Sequence, residues 1–437
     1  MGPLGRHRGF RRLWAGQAVT QLGTQVSILA LPLTALVALD ASAFQVTVVQ
    51  AVQVAPYLLI GLPAGAWVDR MPRRPVLVAA DLLRALALLT VPLSWALGVL
   101  TLWQLDAVGL VLGAGAVFFD VAYQSYLPDL LPAEDLTEGN TQLELARSGS
   151  RVFGPALGGW LVSLLGGPLA LVSDAASFLF SAAMVRRIPA GTTRPPRPEQ
   201  APQLPCREIL QGLRFVRRHR LLAPITATSA LLNLDYAMTS ALVLTYASRD
   251  LHFSPARIGL VTALAGAGFV PGALVARRAG ERLGTGPVLV WGAVLAGGGP
   301  LLLPAASLTA PAAMLVAGLF VQAFGVVVFN VNQVSLRQRL TPKPLLGRTN
   351  ATVRFLVWGV LPVGALGAGA LASATTVRTA VTVSALAGLP AFLPVALSAV
   401  RSAGTRPQPA ATDTPPLEQA LPAGESTRFA ADPNPNR

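Results

Sequence analysis

Two carboxylates lie deep within long apolar stretches of the sequence, Asp120 in VFFDVAYQ and Asp235 in LLNLDYAM. An ionisable side chain in such a stretch is costly to bury, so it usually faces a polar partner or a water-filled cavity. Because desolvation disfavours the charged form of a carboxylate, such groups can bind and release protons near neutral pH. We therefore predict that Asp120 and Asp235 exchange protons. A buried, hydrogen-bonded structural role is the alternative.

Neutral polar side chains also recur in the apolar stretches, where they could hydrogen bond a small molecule. Gln17, Gln21 and Gln25 are spaced by four residues, which places them on one face of a helix. The alternative is that such amides bond neighbouring helices to each other. The predicted substrate-binding set, which includes an arginine beside a tryptophan, is Gln17, Gln21, Gln25, Asn233, Tyr236, Asn330, Gln333, Arg354 and Trp358.

The sequence lacks the motifs for nucleotide hydrolysis, metal binding and nucleophilic catalysis. There is no G-x-x-x-x-G-K-[ST] phosphate loop, and the only lysine, Lys343, follows a proline. The three histidines, His7, His219 and His252, are far apart, and neither a metal-binding H-E-x-x-H nor a G-x-S-x-G nucleophile motif occurs. We therefore expect no enzyme, no resident cofactor and no metal site.

The composition indicates where these residues are held. Only 12% of the 437 residues are charged, against roughly 25% in a soluble domain, while 53% are hydrophobic and the mean hydropathy is +0.56. Too little polar surface remains to cover a soluble globule, so we predict a polytopic membrane protein whose partner is the lipid bilayer. The net charge of +14 rests almost wholly on arginine, and we expect no nucleic acid partner.

A helix needs about 20 apolar residues to cross the hydrocarbon core, and the sequence contains twelve such stretches. Because they lack the two-residue alternation of barrel strands, we predict an all-α bundle of twelve transmembrane helices. The predicted spans are 12–39, 46–68, 76–99, 102–125, 146–166, 168–187, 222–247, 257–278, 286–306, 309–333, 352–373 and 376–400.

The distribution of arginine predicts the orientation. Of the 34 basic residues, 27 fall on the side of the membrane that holds the N-terminus and only three, Arg249, Arg257 and Arg378, on the other. Since cytoplasmic loops are enriched in Lys and Arg, we expect both termini to be cytoplasmic.

The longest break divides the chain into two six-helix halves, 1–187 and 222–400, joined by a Pro- and Arg-rich linker at 188–221 and followed by a disordered cytoplasmic tail at 401–437. In the linker, Ile209, Leu210, Leu213 and Val216 predict an amphipathic helix at the inner leaflet. The halves also align with each other at a spacing of 210 residues, pairing Asp120 with Asn330. Such duplicated bundles are a common plan for transporters.

The segment GAWVDRMPRR, residues 65–74, is similar to the G-x-x-x-D-R-x-G-R-R loop of the major facilitator superfamily, with Pro72 in place of glycine. The resemblance implies that Asp69 latches one end of the bundle by pairing with basic groups. We predict one charge network there with Arg147 at its centre; a basic loop that only sets topology is the alternative. The predicted latch residues are Gly65, Asp69, Arg70, Arg73, Arg74, Asp81, Arg84, Glu144 and Arg147.

A second segment, SRVFGPALGG at residues 150–159, resembles the G-x-x-x-G-P-x-x-G-G signature of proton-coupled exporters in the same superfamily. Glycines spaced by four allow helix backbones to approach closely, and a proline removes a backbone hydrogen bond. The resemblance therefore implies a hinge at Gly154, Pro155, Gly158 and Gly159, although small-residue spacing is also common in static helix contacts.

Residues 10–400 as a whole resemble the enterobactin-exporter-like branch, also called transmembrane secretion effectors. This implies secondary active efflux of a drug, siderophore or metabolite across the bacterial cytoplasmic membrane by a monomer that uses the proton gradient. Drug antiporters of the superfamily often have arginine where Gly109 stands here, so proton coupling must use other groups. The alternative is a membrane receptor or assembly partner that keeps the fold without transporting.

Overall fold

The computed structural model describes residues 3–68, 70–189, 213–308, 310–341 and 346–402. Throughout these ranges the chain forms helices and turns, and no strand occurs in them. Asp69, linker residues 190–212 and tail residues 403–437 lie outside the described residues.

The N-terminal half consists of seven main helices in chain order. These are α1 (Arg8–Leu33), α2 (Ala43–Leu59), α3 (Gly61–Val68), α4 (Arg73–Ala96), α5 (Leu102–Leu130), α6 (Leu136–Leu165) and α7 (Gly167–Arg186).

The C-terminal half consists of seven main helices as well, with short helical turns after several of them. These are α8 (Leu222–Thr245), α9 (Pro255–Gly266), α10 (Phe269–Leu283), α11 (Thr285–Gly298), α12 (Pro311–Leu340), α13 (Leu346–Ala374) and α14 (Val377–Gly388).

In the described part of the chain, nine helical stretches are long and apolar enough to cross a membrane. The predicted spans 46–68, 146–166 and 222–247 are not among them, because the first is divided into α2 and α3 and the other two carry polar or charged side chains. The protein is therefore a multi-pass helical membrane protein, while the count of twelve spans stays a prediction.

The helices connect at two ends of the bundle. We call the end with the turns at 70–72, 131–135 and 187–189 the basic end, and the end with the turns at 39–42, 97–101, 251–254 and 375–376 the far end. At the basic end, α5, α6 and α12 extend beyond the predicted spans. Apolar runs mark only the part of a helix that lipid covers, so the polar extensions were not part of that prediction.

Serine and threonine residues form the N-caps of several helices at the far end. Ser42 and Gln45 form a capping box at the start of α2, with the Ser42 backbone N–H donating to Gln45 Oε1 at 2.8 Å. Thr101, Ser254 and Thr376 each accept a backbone N–H in the first turn of α5, α9 and α14. These caps satisfy amide groups that have no partner within the helix, which permits sharp turns.

Small residues bring the helices of each half close together. On α1, a Cβ at Gly16 would lie 3.0 Å from Ser181 Oγ of α7, which is tighter than ordinary van der Waals contact. On α12, a Cβ at Gly325 would lie 2.8 Å from the Gly292 carbonyl oxygen of α11. Membrane helices associate through such backbone approach because lipid provides no hydrophobic drive between them.

The two halves touch each other through glycines toward the far end. A Cβ built on Gly159 of α6 would lie 2.7 Å from Cα of Gly259 of α9, and the reverse distance is 2.8 Å. On the opposite side of the bundle, a Cβ on Gly369 of α13 would lie 3.0 Å from Thr47 Cβ of α2. The halves are therefore in backbone contact where Gly159 meets Gly259, and at the other crossing Gly369 packs against the Thr47 side chain.

A polar contact joins the halves at the same end. Arg249, in the turn after α8, donates to Asp40 Oδ1 and to the Ala41 carbonyl oxygen, each at 2.9 Å. Among the described residues, no hydrogen bond or ion pair joins the halves at the basic end. The far end is thus where the described hydrogen bonds and glycine contacts hold the halves together.

Residues 213–218 form a short helix before α8. Val216 is buried against Leu222, Val353 and Val357. Leu213 is half-buried, whereas Ile209 and Leu210 of the predicted amphipathic helix lie outside the described residues. The described part of this helix therefore packs its apolar side against α8 and α13.

Candidate functional site

A cavity of about 460 Å³ lies between the two halves. The N-terminal half contributes Gln25, Ile28, Leu29, Gln50, Arg151 and Pro155 to its wall. The C-terminal half contributes Ser229, Leu232, Asn233, Tyr236, Thr239, Ser240, Val243, Leu244, Ile258, Thr262, Ala265, Gly266, Phe269, Leu319, Gln322, Ala323, Val326, Phe329 and Asn330. The wall is mostly apolar with dispersed polar groups, which is typical of a small-molecule site.

Several predicted residues meet in this wall. Gln25 from α1, Asn233 and Tyr236 from α8, and Asn330 from α12 all line it. The Asn233 side-chain NH₂ donates to the Ser229 carbonyl oxygen at 2.8 Å, which orients the amide. The amide oxygen of Asn233 can then accept a hydrogen bond from another group. Helices from both halves therefore bring amide groups to one space.

Other predicted binding residues lie outside the wall. Gln17 is buried, Gln21 is half-buried, and Gln333 is buried with its amide 3.4 Å from Asn330 Oδ1, so it supports a wall residue from behind. Trp358 packs edge-on against Tyr57 with ring centroids 5.5 Å apart. The side chain of Arg354 lies outside the described part of the structure.

Asp235 sits behind the cavity wall within the C-terminal half. Its side chain is 2% exposed, and Gln322, which lines the cavity, donates to Asp235 Oδ2 at 3.1 Å. No donor among the described residues reaches Oδ1, although this oxygen is near Gly388 of α14. A buried carboxylate with one unsatisfied oxygen is costly, so Asp235 is unusual for a purely structural group.

Asp120 is part of a contact chain that crosses between the halves. The Tyr57 hydroxyl of α2 donates to Asp120 Oδ2 of α5 at 2.9 Å, and the Tyr57 ring packs against Trp358 of α13. Asp120 is half-buried and does not line the cavity. A change at this carboxylate would therefore act first on the interface between α2 and α13.

The predicted latch loop is bound within its own half. Arg73 Nη1 donates to Asp129 Oδ2 of α5 at 2.6 Å, and Arg74 donates to the Val185 and Arg186 carbonyl oxygens at the end of α7. Arg70 is exposed, and Gly65 lies within α3. Asp69 lies outside the described residues, so its pairing with basic groups stays a prediction.

Asp81 and Arg84 form a buried ion pair on α4. The Arg84 guanidinium carbon lies 4.9 Å and 4.2 Å from the ring centroids of Phe119 and Phe178. Asp174 lies nearby in α7 and is 1% exposed. The helices α1, α4, α5 and α7 pack around Asp81, Arg84 and Asp174 and bury them, although hydropathy alone would place charged residues near a surface.

Glu144 and Arg147 form a looser pair at 3.8 Å on α6, and both side chains are partly exposed. Among the described residues, no ion pair joins them to Arg84 or to Arg73. The described part of the predicted set thus contains three separate ion pairs, Arg73 with Asp129, Arg84 with Asp81 and Arg147 with Glu144, and the network around Arg147, which includes Asp69, stays a prediction.

The predicted hinge residues contact different helices. Gly154 and Gly158 face α1 at Gln25 and Val26, whereas Gly159 faces α9 across the halves, and Pro155 lines the cavity. The helix runs unbroken through this segment from Leu136 to Leu165. The motif is thus the place where one helix packs on both halves at once.

Sequence reasoning missed several wall residues, above all Arg151. This arginine lies near the middle of α6, and an arginine there costs about 2.5 to 3.5 kcal/mol on insertion scales. The position of a charged residue inside an apolar stretch is visible in the sequence, but Arg151 also belongs to the segment 150–159, which resembles a glycine- and proline-containing motif. Gln50, Thr262 and Gln322 carry no such signal, because nothing in the sequence distinguishes them from other polar residues in spans.

Metal-binding geometry is not found in the described ranges, which contain no group of three or more His, Cys, Asp or Glu side chains suited to hold an ion. The donors that line the cavity are amides, hydroxyls and one guanidinium, which suit a polar organic molecule.

Comparisons with known proteins agree with this architecture. A family model described as transmembrane secretion effector matches residues 1–423. A Bacillus subtilis protein named uncharacterized MFS-type transporter YfiS is 27% identical over 384 residues, covering 85% of this chain and 88% of that protein. The Mycobacterium tuberculosis protein named multidrug efflux pump Tap is 29% identical over 257 residues, covering 57% of this chain and 60% of that protein.

A solved structure shares the fold. The crystal structure of a bacterial homologue of the iron transporter ferroportin in the inward-facing state superposes with a TM-score of 0.71 at 20% identity, covering 89% of this chain and 98% of that one.

Proposed function

Because the chain belongs to the transmembrane secretion effector family of the major facilitator superfamily, we propose that this membrane transporter exports a small molecule from bacteria in exchange for protons. The efflux activity named for its relatives, multidrug and macrolide efflux, supports export as the direction. One chain supplies both walls of the cavity, which supports a monomer as the working unit.

The observation that carries the proposal is a cavity between two halves whose described hydrogen bonds and closest glycine contact lie toward the far end. Gly159 and Gly259 cross at backbone distance at the far end, and Arg249 bonds Asp40 there. Since the opposite end carries most of the arginines, the positive-inside rule makes it cytoplasmic. The cavity would then accept substrate from the cytoplasm in this state, and separation of the far-end contacts would release it outside.

Proton coupling would use the two carboxylates that the sequence singles out. Asp235 contacts the cavity through Gln322, so a substrate that bonds the Gln322 amide would remove the hydrogen bond that Gln322 donates to the carboxylate. Asp120 would act on the contact between Tyr57 and Trp358 that joins the halves. Protonation of Asp235 would therefore change its hydrogen bond with Gln322, and protonation of Asp120 would change the hydrogen bond that holds Tyr57 beside Trp358.

The test begins with a growth screen of an efflux-deficient host against a compound library, to find compounds to which the wild-type protein gives resistance. Those compounds are then added to proteoliposomes with an imposed pH gradient. We expect compound-dependent proton flux in the wild type and a loss of at least tenfold in Asp120→Asn or Asp235→Asn. Asp106→Asn is the matched control, because Asp106 lies on the same helix as Asp120 but near its start at the far end.

Binding of a compound without flux in any variant would contradict transport and favour the alternative, a receptor or assembly partner that retains the fold. Flux that persists in the double variant of Asp120 and Asp235 would contradict their role in coupling while leaving transport intact.

A further inference from the structure

We propose that the exported molecule carries an anionic group, and that Arg151 binds this group in the cavity. The inference rests on the proposed function, since it names the substrate class of the same cavity. The group would be a carboxylate, sulfonate or phosphate, because these have the planar or clustered oxygens that a guanidinium bonds best.

The charges of the wall favour this class. Among the described residues, Arg151 is the only charged side chain that lines the cavity, and no carboxylate lines it. Asp235 is 2% exposed and lies behind Gln322, which occupies one of its oxygens. A cationic substrate would therefore meet a positive group and no facing counter-charge, whereas an anionic one would be attracted.

Arg151 also lacks the kind of partner that four other arginines in the described part of the chain have. Arg73, Arg84 and Arg249 each pair with an aspartate, and Arg257 lies over the ring of Phe253 at 4.0 Å. Arg151 forms no hydrogen bond or ion pair with the described residues, and it is exposed in the cavity wall. Its donors are free to bind a ligand.

The surroundings of Arg151 complete an amphipathic site. Tyr236, which also lines the cavity, is close enough for the Arg151 charge to act on its hydroxyl. Apolar side chains, among them Phe269 and Phe329, form much of the rest of the wall. An anion attached to an aromatic or alkyl body fits this arrangement, with the anion on Arg151 and the body against the apolar wall.

The test compares two probes that differ in one charge, dansylglycine with a free carboxylate and dansylglycinamide without it. Each is titrated against the purified full chain in lipid nanodiscs, and binding is read from the rise in dansyl fluorescence in an apolar site. We expect the carboxylate probe to bind about tenfold to a hundredfold more tightly to the wild type, the range of a charge-assisted hydrogen bond. In Arg151→Gln this preference disappears, and in Arg151→Lys part of it remains.

Arg257→Gln is the matched control, since Arg257 lies outside the cavity wall, and it should keep the wild-type preference. Unchanged binding of dansylglycinamide to Arg151→Gln shows that this variant is folded. The proposal is overturned if dansylglycine does not bind the wild type, if both probes bind equally, or if Arg151→Gln keeps the preference. Binding needs no gradient, so a failure of transport in proteoliposomes is read separately from a failure of anion recognition.

Discussion

Replacement of Gly159 by alanine tests whether far-end closure depends on the close approach of α6 and α9. The added Cβ would lie 2.7 Å from Cα and 3.0 Å from N of Gly259, and both are backbone atoms that cannot rotate away. Carbon atoms prefer a separation of about 3.5 to 4.0 Å, so the helices must separate by roughly 1 Å. Overpacking of this kind costs about 1 to 3 kcal/mol, which lowers the closed population by about fivefold to a hundredfold.

The assay is double electron–electron resonance on protein in nanodiscs, with Cys206→Ser as background and spin labels at residues 99 and 308. Val99 and Leu308 are exposed in far-end turns of opposite halves. We expect Gly159→Ala to shift the distance distribution to longer values. Gly259→Ala should act alike, because its Cβ would lie 2.8 Å from Gly159 Cα.

Gly149→Ala is the control on the same helix, since nothing lies within 4 Å of a Cβ at that position. It should leave the distances unchanged. If folded Gly159→Ala gives the wild-type distribution, or if Gly149→Ala shifts it equally, then the glycine crossing does not control closure.

Three further predictions concern polar groups. Arg249→Gln should open the far end more than Asp40→Asn does, because the Asp40 side chain is 97% exposed while Arg249 also loses a backbone acceptor; equal shifts with the same labels would contradict this. Burial lowers the pKa of His219 from 6.5, and its Nδ1 accepts two N–H groups at the start of α8. The unfolded chain then binds the proton more readily, so this contribution is full above pH 6.5 and is lost as pH falls through the folded value. Melting curves of His219→Phe should therefore depend less on pH below 6.5 than those of the wild type. Asp174→Ala should destabilise the protein by about 1 to 3 kcal/mol, because Ser27 and Ser177 lose their shared acceptor; a melting temperature equal to that of Asp174→Asn would refute this.

Periodicity and composition predict the larger features of the fold because these follow from the solvent. A lipid core requires every backbone group to be bonded within the chain, which leaves helices for stretches such as 309–333 and 102–125. The helix Leu102–Leu130 contains the second stretch, and the helix Pro311–Leu340 contains all of the first except residues 309 and 310. Their ends were less predictable, since capping and polar extensions do not depend on hydropathy.

The candidate site was predicted in part. Gln17, Gln21 and Gln25 share one face of α1, but only Gln25 reaches the cavity wall, because the position along the helix matters as much as the face. Arg151 could be noticed from its cost in a membrane, yet its lack of a partner is visible only when the neighbouring helices are placed around it.

The sequence by itself determined that the chain is a helical membrane protein with an internal repeat and a strongly basic side, because apolar runs, residue spacing and arginine counts are local properties. Only the tertiary structure decided which polar residues face the common cavity, which arginines are paired and where the two halves contact each other. Those outcomes depend on how helices distant in the chain rotate and approach one another, and glycine crossings such as Gly159 with Gly259 set that approach through contacts between backbones rather than through any local pattern.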